Sequence, residues 1–344
     1  MAPLNQTVLE PGEWMRVRNR RYRILERLTA SGAGVQRYKA VDPEARPGGE
    51  ECALHVLPAN RQTGSCVRVL KRVSDRNRSF LPILAYNPWQ DATGASKVVL
   101  VLPWLPGRTL RDYLNAAKAG HGPGISPFEA FRLFRGLAHG VSNLNHRSNI
   151  VHGDIKPENL IVTREPTQLV LIDFGSAWLV EEAATHMALD GVTRAYAAPE
   201  RIRGTPVPDF RSDQFSVSAI FYEMLTLGRP YGGLGGAAFD DGNEGFREFT
   251  PPSTQCRERG KLADSAWKRV DTVICRGLAP DREDRYPNRR DWLDAVDAID
   301  FEIKRTSRMG SGEQAIASLI ERADRWRAAA WRLVRRIAGP RDSE

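Results

Sequence analysis

The sequence predicts an α+β fold of two lobes, with an antiparallel sheet in the N-terminal lobe and a mainly helical C-terminal lobe. The 344 residues, 41% hydrophobic and 27% charged, are enough to bury about two cores. Short apolar runs bounded by Gly, Pro and polar clusters, which are typical of strands, fill the first third of the chain. From Ser126 onward, apolar residues instead recur at the spacing of a helix face.

The strand-like runs lie at residues 21–42, 51–58 and 96–104. Their alternation of apolar segments with turn residues favours an antiparallel sheet. One helix is expected near residues 65–77, between the second and third runs.

The helical part opens with SPFEAFRLFRGLAHGVSNLNH, in which Ser126 can cap a helix, Pro127 suits its first turn and Glu129 can answer the cap. Further helices are predicted over residues 212–228, 264–278 and 289–300. The Gly- and Pro-rich stretch at residues 229–262 is expected to be a loop with one short helix.

Composition excludes several classes of protein. The opening MAPLNQTVLEPGEW lacks the apolar core of a signal peptide, and no window approaches 18 uncharged apolar residues, so we expect a cytoplasmic protein. The four cysteines show neither a C-x-x-C pair nor a metal-binding spacing, and Cys52, in CALHVL, is expected in the core. The net charge of +8 favours anionic partners without choosing among them.

A set of polar residues lies at fixed offsets in NIVHGDIKPENLIV and in LVLIDFG. The flanking apolar runs predict strands of a hairpin, which would deliver these side chains to one cleft. Asn159 and Asp173 offer the hard oxygen ligands that Mg²⁺ prefers. Asp154 can accept the proton of a hydroxyl, and Lys156 can neutralise a moving phosphate. The pattern indicates phosphoryl transfer, and ordinary turn residues of a hairpin are the alternative.

Three motifs resemble those of eukaryotic-type protein kinases: HGDIKPEN the catalytic loop, IDFG the magnesium loop, and AYAAPE the end of the activation segment. The resemblance covers residues 22–300, and D-I-K-P-E-N is similar to Ser/Thr rather than Tyr kinases. It implies a two-lobed protein-kinase-like fold that transfers the γ-phosphate of ATP, with Mg²⁺, to a protein hydroxyl.

The resemblance also implies supporting roles for residues around this cleft. His152 would pack under the magnesium loop, and Thr193 would support the base and its lysine. Asp213, in SDQFSVSAIFYEM, would hold the backbone of the catalytic loop. Arg285 would pair with Glu200, the glutamate of the APE motif.

The N-terminal lobe departs from the family's pattern. His55, in CALH, occupies the position of the lysine that binds the α- and β-phosphates, and the following CVRVLKRVSDRN holds no glutamate to pair with it. In LTASGAGVQRYKA, Gly34 matches the third glycine of the phosphate loop, whereas Thr29 and Ser31 stand at the first two. Aligning this stretch on its Lys-Ala pair requires an extra residue or a bulge.

Two residues are candidates to replace the missing lysine. His55 is either a half-buried strand histidine or, with its pKa raised by nearby phosphate, a pH-dependent cation. Lys39 is either a solvent-facing strand residue or a relocated lysine. Chemistry that is slow rather than absent is compatible with the loss, because one charged hydrogen bond contributes roughly 1.5–3 kcal/mol.

The segment VLVLPWLPG resembles the hinge of the family. Leu102 would be the gatekeeper, the backbone of Leu105 would meet adenine, and Pro103 would offer its carbonyl. Gly153 stands in place of the arginine through which a phosphorylated activation loop is read. Control by phosphorylation of that loop is therefore not expected.

We divide the chain into an N-terminal extension (1–20), an N-lobe (21–105), a C-lobe (106–300) and a tail (301–344). In the tail, a flexible TSRMGSG precedes EQAIASLIERADRWRAAAWRLVRRIAG, whose apolar stripe and arginines predict a basic amphipathic helix. This helix would dock on the large lobe or on a partner, or would lie on an anionic membrane surface. No specific nucleic-acid binding is expected.

The leading hypothesis is a divergent Ser/Thr protein kinase. The first alternative is a pseudokinase that binds nucleotide or a partner protein and acts as a scaffold or regulator, which the missing Lys and Glu favour. The second is a small-molecule phosphotransferase of the aminoglycoside or choline kinase type, because those enzymes share H-G-D-x-x-x-x-N and I-D-F. Glu200, Asp213 and Arg285 argue against this second alternative.

Overall fold

Both lobes predicted from the sequence are present. The computed structural model describes residues 8–28, 35–45, 49–76, 83–91, 93–122, 124–163, 167–180, 193–204 and 208–308. Within these ranges an antiparallel sheet forms the N-terminal lobe, and helices form most of the C-terminal lobe. The predicted two-lobed α+β fold is confirmed. Thr29, Ser31, Gly34 and the basic amphipathic helix of the tail lie outside the described residues.

The N-terminal lobe contains a six-stranded antiparallel sheet in the order β1-β2-β3-β4-β6-β5. Its strands are β1 (Trp14–Val17), β2 (Arg20–Leu28), β3 (Gln36–Asp42), β4 (Glu50–Pro58), β5 (Ala85–Gln90) and β6 (Ser96–Pro103). Buried and partly exposed side chains alternate along β3, so Tyr38 and Ala40 enter the core of this lobe while Arg37 and Lys39 lie on the other face. On that other face, Leu100 of β6 packs into the core shared with the C-terminal lobe.

A bulge lies between β2 and β3. The pairing passes from Ile24 opposite Ala40 to Glu26 opposite Lys39, which leaves Leu25 as the extra residue. The irregularity that the sequence alignment required lies within residues 28–40, so this bulge at Leu25 is a separate one. Beyond the bulge, the register of β3 on β4 sets Arg37 directly opposite His55, on the same face of the sheet.

The helix α1 (Arg61–Arg76) joins β4 to the rest of the sheet. It begins four residues before the predicted start because Asn60 caps it, accepting the N–H of Thr63 at 2.8 Å. Its buried face, formed by Cys66, Val69, Leu70 and Val73, packs into the core shared by the two lobes.

The C-terminal lobe is built mainly from helices. They are α2 (Leu110–Lys118), α3 (Pro127–Ser148), α4 (Pro199–Arg203), α5 (Phe210–Thr226), α6 (Pro252–Gln255), α7 (Asp264–Gly277) and α8 (Arg289–Arg308). Helix α5 is the central one, because nearly all its side chains are buried. The predicted cap of α3 is present on one side: the hydroxyl of Ser126 accepts the N–H of Glu129 at 3.3 Å.

Helix α8 continues past residue 300, where the sequence pattern predicted its end. The apolar spacing that buries Trp292, Val296 and Ile299 includes Ile303, which is also buried. The hydroxyl of Thr306 then donates to the carbonyl of Glu302 at 2.9 Å, so polar residues expected to form a flexible linker are part of the helix.

Two small sheets carry the polar motifs. One contains β7 (Arg108–Thr109), β9 (Leu160–Val162) and β10 (Leu169–Leu171), and the other pairs β8 (Ile150–Val151) with β11 (Trp178–Leu179). The two sheets place the loop after β8 next to the loop after β10, as the predicted hairpin required.

The cysteines are free thiols, and Cys52 lies in the core as predicted. None of the helices in the described ranges combines the length and apolar character needed to cross a bilayer.

A buried ion pair joins α4 to the segment before α8. Both guanidinium NH₂ groups of Arg285 contact the carboxylate of Glu200, at 2.7 and 3.0 Å, and the hydroxyl of Ser212 donates to the same carboxylate. Arg285 also donates to the carbonyl of Ala279, so its charge is fully solvated by protein groups. Burying such a pair costs desolvation energy, but removing one partner is strongly destabilising because the other charge is left buried and unpaired.

Replacing Arg285 with Met should therefore lower the free energy of unfolding by about 3–5 kcal/mol, because Glu200 is left as a buried, unpaired charge. The measurement is equilibrium denaturation in urea. Arg290→Met is the matched control, since the Arg290 side chain is 89% exposed and its pair with Asp294 is long, at 4.0 Å. Similar small losses in both variants would contradict the role of the buried pair.

Candidate active site

The loop after β8 holds a compact arrangement around Asp154. The ammonium group of Lys156 donates to Asp154 Oδ2 at 2.6 Å and to the hydroxyl of Thr193 at 2.7 Å. The N–H of Thr193 contacts Asp154 Oδ1 at 3.3 Å, and the amide of Asn159 donates to the Asp154 carbonyl at 3.1 Å. Thr193 thus contacts both residues that the sequence pairs it with, and the carboxylate and ammonium are held side by side.

Asp213 of α5 holds the backbone of this loop. Its two oxygens accept the N–H groups of His152 and Gly153, both at 2.9 Å. Burial raises the pKa of Asp213 to about 7, and these two N–H donors act in the opposite direction. The buried helix α5 therefore fixes the backbone of this loop through Asp213.

His152 is fully buried and packs edge-on against Phe174, with 5.1 Å between ring centroids. Burial lowers the pKa of His152, so the ring is neutral, and its Nδ1 accepts the N–H of Asp154 at 3.4 Å. The residue lies under the IDFG loop, in the place that the sequence resemblance assigned to it.

Asn159 and Asp173 lie at the same end of the β9–β10 pair, Asn159 just before β9 and Asp173 two residues after β10. Leu160 lies opposite Leu171, and the N–H of Ile172 donates to the carbonyl of Asn159 at 2.9 Å. Asp173 has a positive φ of 70° and accepts the N–H of Gly175 at 3.0 Å. The amide and carboxylate oxygens fit a hard divalent cation such as Mg²⁺. Within the described residues, no group of three or more His, Cys, Asp or Glu side chains is arranged to hold a metal ion.

Arg37 is a charged residue of this cleft that the sequence analysis missed. Its NH2 group contacts Asp173 Oδ2 at 2.5 Å, which joins the N-terminal sheet to the IDFG loop. Burial opposes ionisation of Asp173, but the charge of Arg37 and the N–H of Gly175 hold its pKa below the usual range. The available signal was position, since Arg37 lies two residues before Lys39 on the same face of β3.

His55 is opposite Arg37 and only half-buried. Its pKa is lowered to about 4, first by desolvation and then by the positive charge of Arg37, with Asp173 acting in the opposite direction. The ring is therefore neutral at physiological pH. This argues against the hypothesis of a pH-dependent cation at this position and favours a strand histidine.

Lys39 has other partners. Its ammonium group pairs with Glu51 at 2.6 Å and lies 4.9 Å from the centre of the Trp104 ring. The structure gives Lys39 a cation–π contact and an ion pair on the sheet, not a contact with Asp173.

The predicted hinge follows the end of β6. Leu102 is buried opposite Ala53 of β4, and Pro103 lies opposite Cys52. Leu105 comes two residues after the strand ends and is partly exposed. These positions are compatible with a gatekeeper followed by an accessible backbone.

The ring of Trp178, on β11, occupies the space where a side chain at residue 153 would lie. Gly153 has a φ of +73°, and a Cβ there would lie 2.2 Å from an atom of the Trp178 ring. The guanidinium of Arg201 lies 5.1 Å from the centre of that ring and donates to the Gly153 carbonyl at 3.4 Å. An indole and a buried arginine from α4 thus occupy the space beside the loop.

Gly153→Ala should lower the free energy of unfolding by more than Gly120→Ala does. Both glycines have a positive φ, which costs a non-glycine residue roughly 1–2 kcal/mol, but Gly120 has no atom within 4 Å of a new Cβ. The difference between the two variants isolates the clash with Trp178. Thermal or urea denaturation measures it, and equal losses would contradict the packing described.

Comparison with known proteins identifies the family. The model of the protein kinase domain matches residues 82–287, more than half of the chain, and begins after the strands that carry Arg37 and His55. A probable cell division protein kinase of Encephalitozoon cuniculi is 31% identical over 210 residues, which are 59% of this chain and 71% of that protein.

Bacterial relatives are similar at the same level. The probable serine/threonine-protein kinase PknB of Bifidobacterium longum is 32% identical over 191 residues, 54% of this chain and 25% of that protein. The serine/threonine-protein kinase PknB of Mycobacterium leprae is 28% identical over 207 residues, 59% of this chain and 31% of that protein. The chain therefore spans about a quarter to a third of the length of these bacterial relatives. By fold, motifs and similarity, this chain belongs to the protein kinase family.

Proposed function

We propose that the chain is a divergent Ser/Thr protein kinase that transfers the γ-phosphate of ATP to a protein hydroxyl. The observation that carries the proposal is the arrangement of Asp154, Lys156 and Thr193, linked by contacts of 2.6, 2.7 and 3.3 Å. Names of similar proteins support the Ser/Thr class.

In the proposed reaction, the substrate hydroxyl oxygen forms a bond to the γ-phosphorus. The bond from that phosphorus to the bridging oxygen breaks, and its electron pair leaves with ADP. Asp154 orients the hydroxyl and receives its proton, while Lys156 neutralises charge on the transferred group. Asn159 and Asp173 would hold Mg²⁺, which supplies positive charge to the phosphates.

The contacts of the large lobe support a protein substrate over a small molecule. Asp213 holds the loop backbone, and Glu200 with Arg285 anchors the segment that follows Thr193. By the sequence resemblance these parts belong to the peptide-docking architecture of protein kinases. We propose a protein substrate, or a regulated partner protein, on this face.

A pseudokinase is the second candidate, and one observation favours it. The strand position of the usual lysine holds a neutral His55, and residues 61–73 of α1 include no acidic side chain to pair with a cation there. Such a protein would bind nucleotide or a partner without transfer. The same purified protein separates the two candidates, because only the kinase incorporates phosphate.

We infer the cellular location and the contacts of the C-terminal tail from the composition of the chain. We propose a cytoplasmic protein whose basic C-terminal segment contacts a partner protein or an anionic membrane surface. The arginine-rich composition of that segment supports the proposal.

The test of transfer uses the full chain with labelled ATP and Mg²⁺, read for autophosphorylation and for transfer to a generic protein. Asp154→Asn should reduce incorporation on the order of 10²- to 10⁴-fold, because the proton acceptor is lost. Asp294→Asn is the control, since the Asp294 side chain is 74% exposed and lies on α8. Chelation of Mg²⁺ with EDTA should abolish incorporation. Equal incorporation by Asp154→Asn and wild type would contradict the proposed role.

A second test concerns His55. Because its pKa lies near 4, well below the ordinary value of 6.5, the ring carries no charge between about pH 5.5 and 8.5. ATP itself titrates in this range, so wild type and His55→Gln are compared by isothermal titration across it. We expect the ratio of their ATP affinities to stay constant. A wild-type advantage that grows toward acid pH would restore the cationic histidine.

A further inference from the structure

The cleft lacks a cation where the strand β4 would be expected to supply one. His55 is at that position, and residues 61–73 of α1 offer no carboxylate to orient a cation. A triphosphate with its several negative charges, bound next to Asp154 and Asp173, needs positive charge on the side of the N-terminal lobe. Lys156 lies on the opposite side, paired with Asp154.

Arg37 supplies a positive charge in this part of the cleft. The bulge at Leu25 sets the register between β2 and β3, and the pairing of β3 with β4 places Arg37 beside His55, facing Asp173. The side chain is 20% exposed, so its charge is only weakly screened by solvent but still accessible to a ligand.

The guanidinium has unused hydrogen-bonding capacity. One NH₂ group contacts Asp173, whereas the buried Nε–H of Arg37 has no hydrogen-bond partner among the residues that the structure describes. A guanidinium carries five N–H donors in a planar fork that suits carboxylate and phosphate oxygens together. A buried donor without a partner is unfavourable, so a ligand oxygen that accepts it is stabilised.

We propose that Arg37 is the phosphate-binding cation of this kinase, donating to the phosphates of a nucleoside triphosphate while it orients Asp173. The inference rests on the proposed function for the identity of the ligand. Arg37 lies on β3, whereas the family's pattern places the phosphate-binding cation on β4.

The two other candidates fit less well. Lys39 pairs with Glu51 and packs over Trp104, so its charge is already engaged elsewhere on the sheet. His55 is neutral and can donate at most one N–H. Neither contacts Asp173 by a hydrogen bond or ion pair in the described residues, whereas Arg37 does.

The alternative is that Arg37 inhibits binding of the metal and the nucleotide. The same ion pair could occupy Asp173 and keep a metal away from it, in which case removal of Arg37 would strengthen binding of Mg²⁺ and nucleotide. The two roles predict changes of opposite sign, and one titration decides between them.

The experiment measures affinities of the full chain by isothermal titration, for ATP with Mg²⁺ and for adenosine alone. We expect Arg37→Met to weaken Mg-ATP binding on the order of 10- to 100-fold, the range of one charge-assisted hydrogen bond. Arg37→Lys should recover part of it, because lysine keeps the charge but not the fork. Lys39→Met, on the same face of β3, is the matched control and should leave Mg-ATP affinity unchanged. Adenosine affinity should be equal in all four proteins, which also shows that the cleft is folded.

Three results would overturn the inference: unchanged Mg-ATP affinity in Arg37→Met, tighter binding in that variant, or no Mg-ATP binding by wild type. If Arg37→Met weakens Mg-ATP binding but the wild type transfers no phosphate, Arg37 is supported as the cation that binds the nucleotide and the kinase activity is rejected. Phosphate binding by Arg37 and phosphate transfer by the chain are therefore tested by different results.

Discussion

The negative charge of Asp173 has to be compensated inside a cleft that only partly admits water, and the ion pair with Arg37 meets this constraint. A carboxylate that is removed from solvent keeps its charge only when a cation or several N–H donors face it. Here the cation comes from β3 and the N–H from Gly175, while burial first and the charge of Arg37 second lower the pKa of the neighbouring His55. The electrostatics on the N-terminal side of the cleft depend on this pair.

The other half of the site depends on Asp213. Its two bonds to the backbone of residues 152 and 153 fix the loop that carries Asp154, and Thr193 closes the arrangement from the activation segment. The surrounding lobe is held together because α5 is buried along nearly its whole length and because Glu200 and Arg285 form a buried ion pair. The large lobe therefore holds Asp154 and Lys156 by helix packing, whereas among the described residues the small lobe contacts Asp173 through the ion pair with Arg37.

Much of the fold could be predicted from local patterns. Helices α3, α5 and α7 and strands β4 and β6 were predicted near their observed bounds, because each has a regular apolar period and clear end signals. The end of α8 was not predicted, since Thr306 and Ser307 look like linker residues until buried Ile303 is seen to extend the packing. Strand β1 was also missed, because its four residues gain their strand partners only from β2.

The sequence by itself determined the family, the two-lobed architecture and the motif that carries Asp154, Lys156 and Asn159, because those three residues follow each other at short, fixed offsets. Only the tertiary structure decided which cation meets Asp173 and what fills the space beside Gly153. Arg37 and Asp173 are 136 positions apart, and the alternation of side chains along β3 and its pairing with β4 put Arg37 on the same face as His55. Trp178 and Arg201 likewise meet over Gly153 only after folding. Contacts of this kind leave no periodic trace in the chain, since they depend on register and packing rather than on spacing.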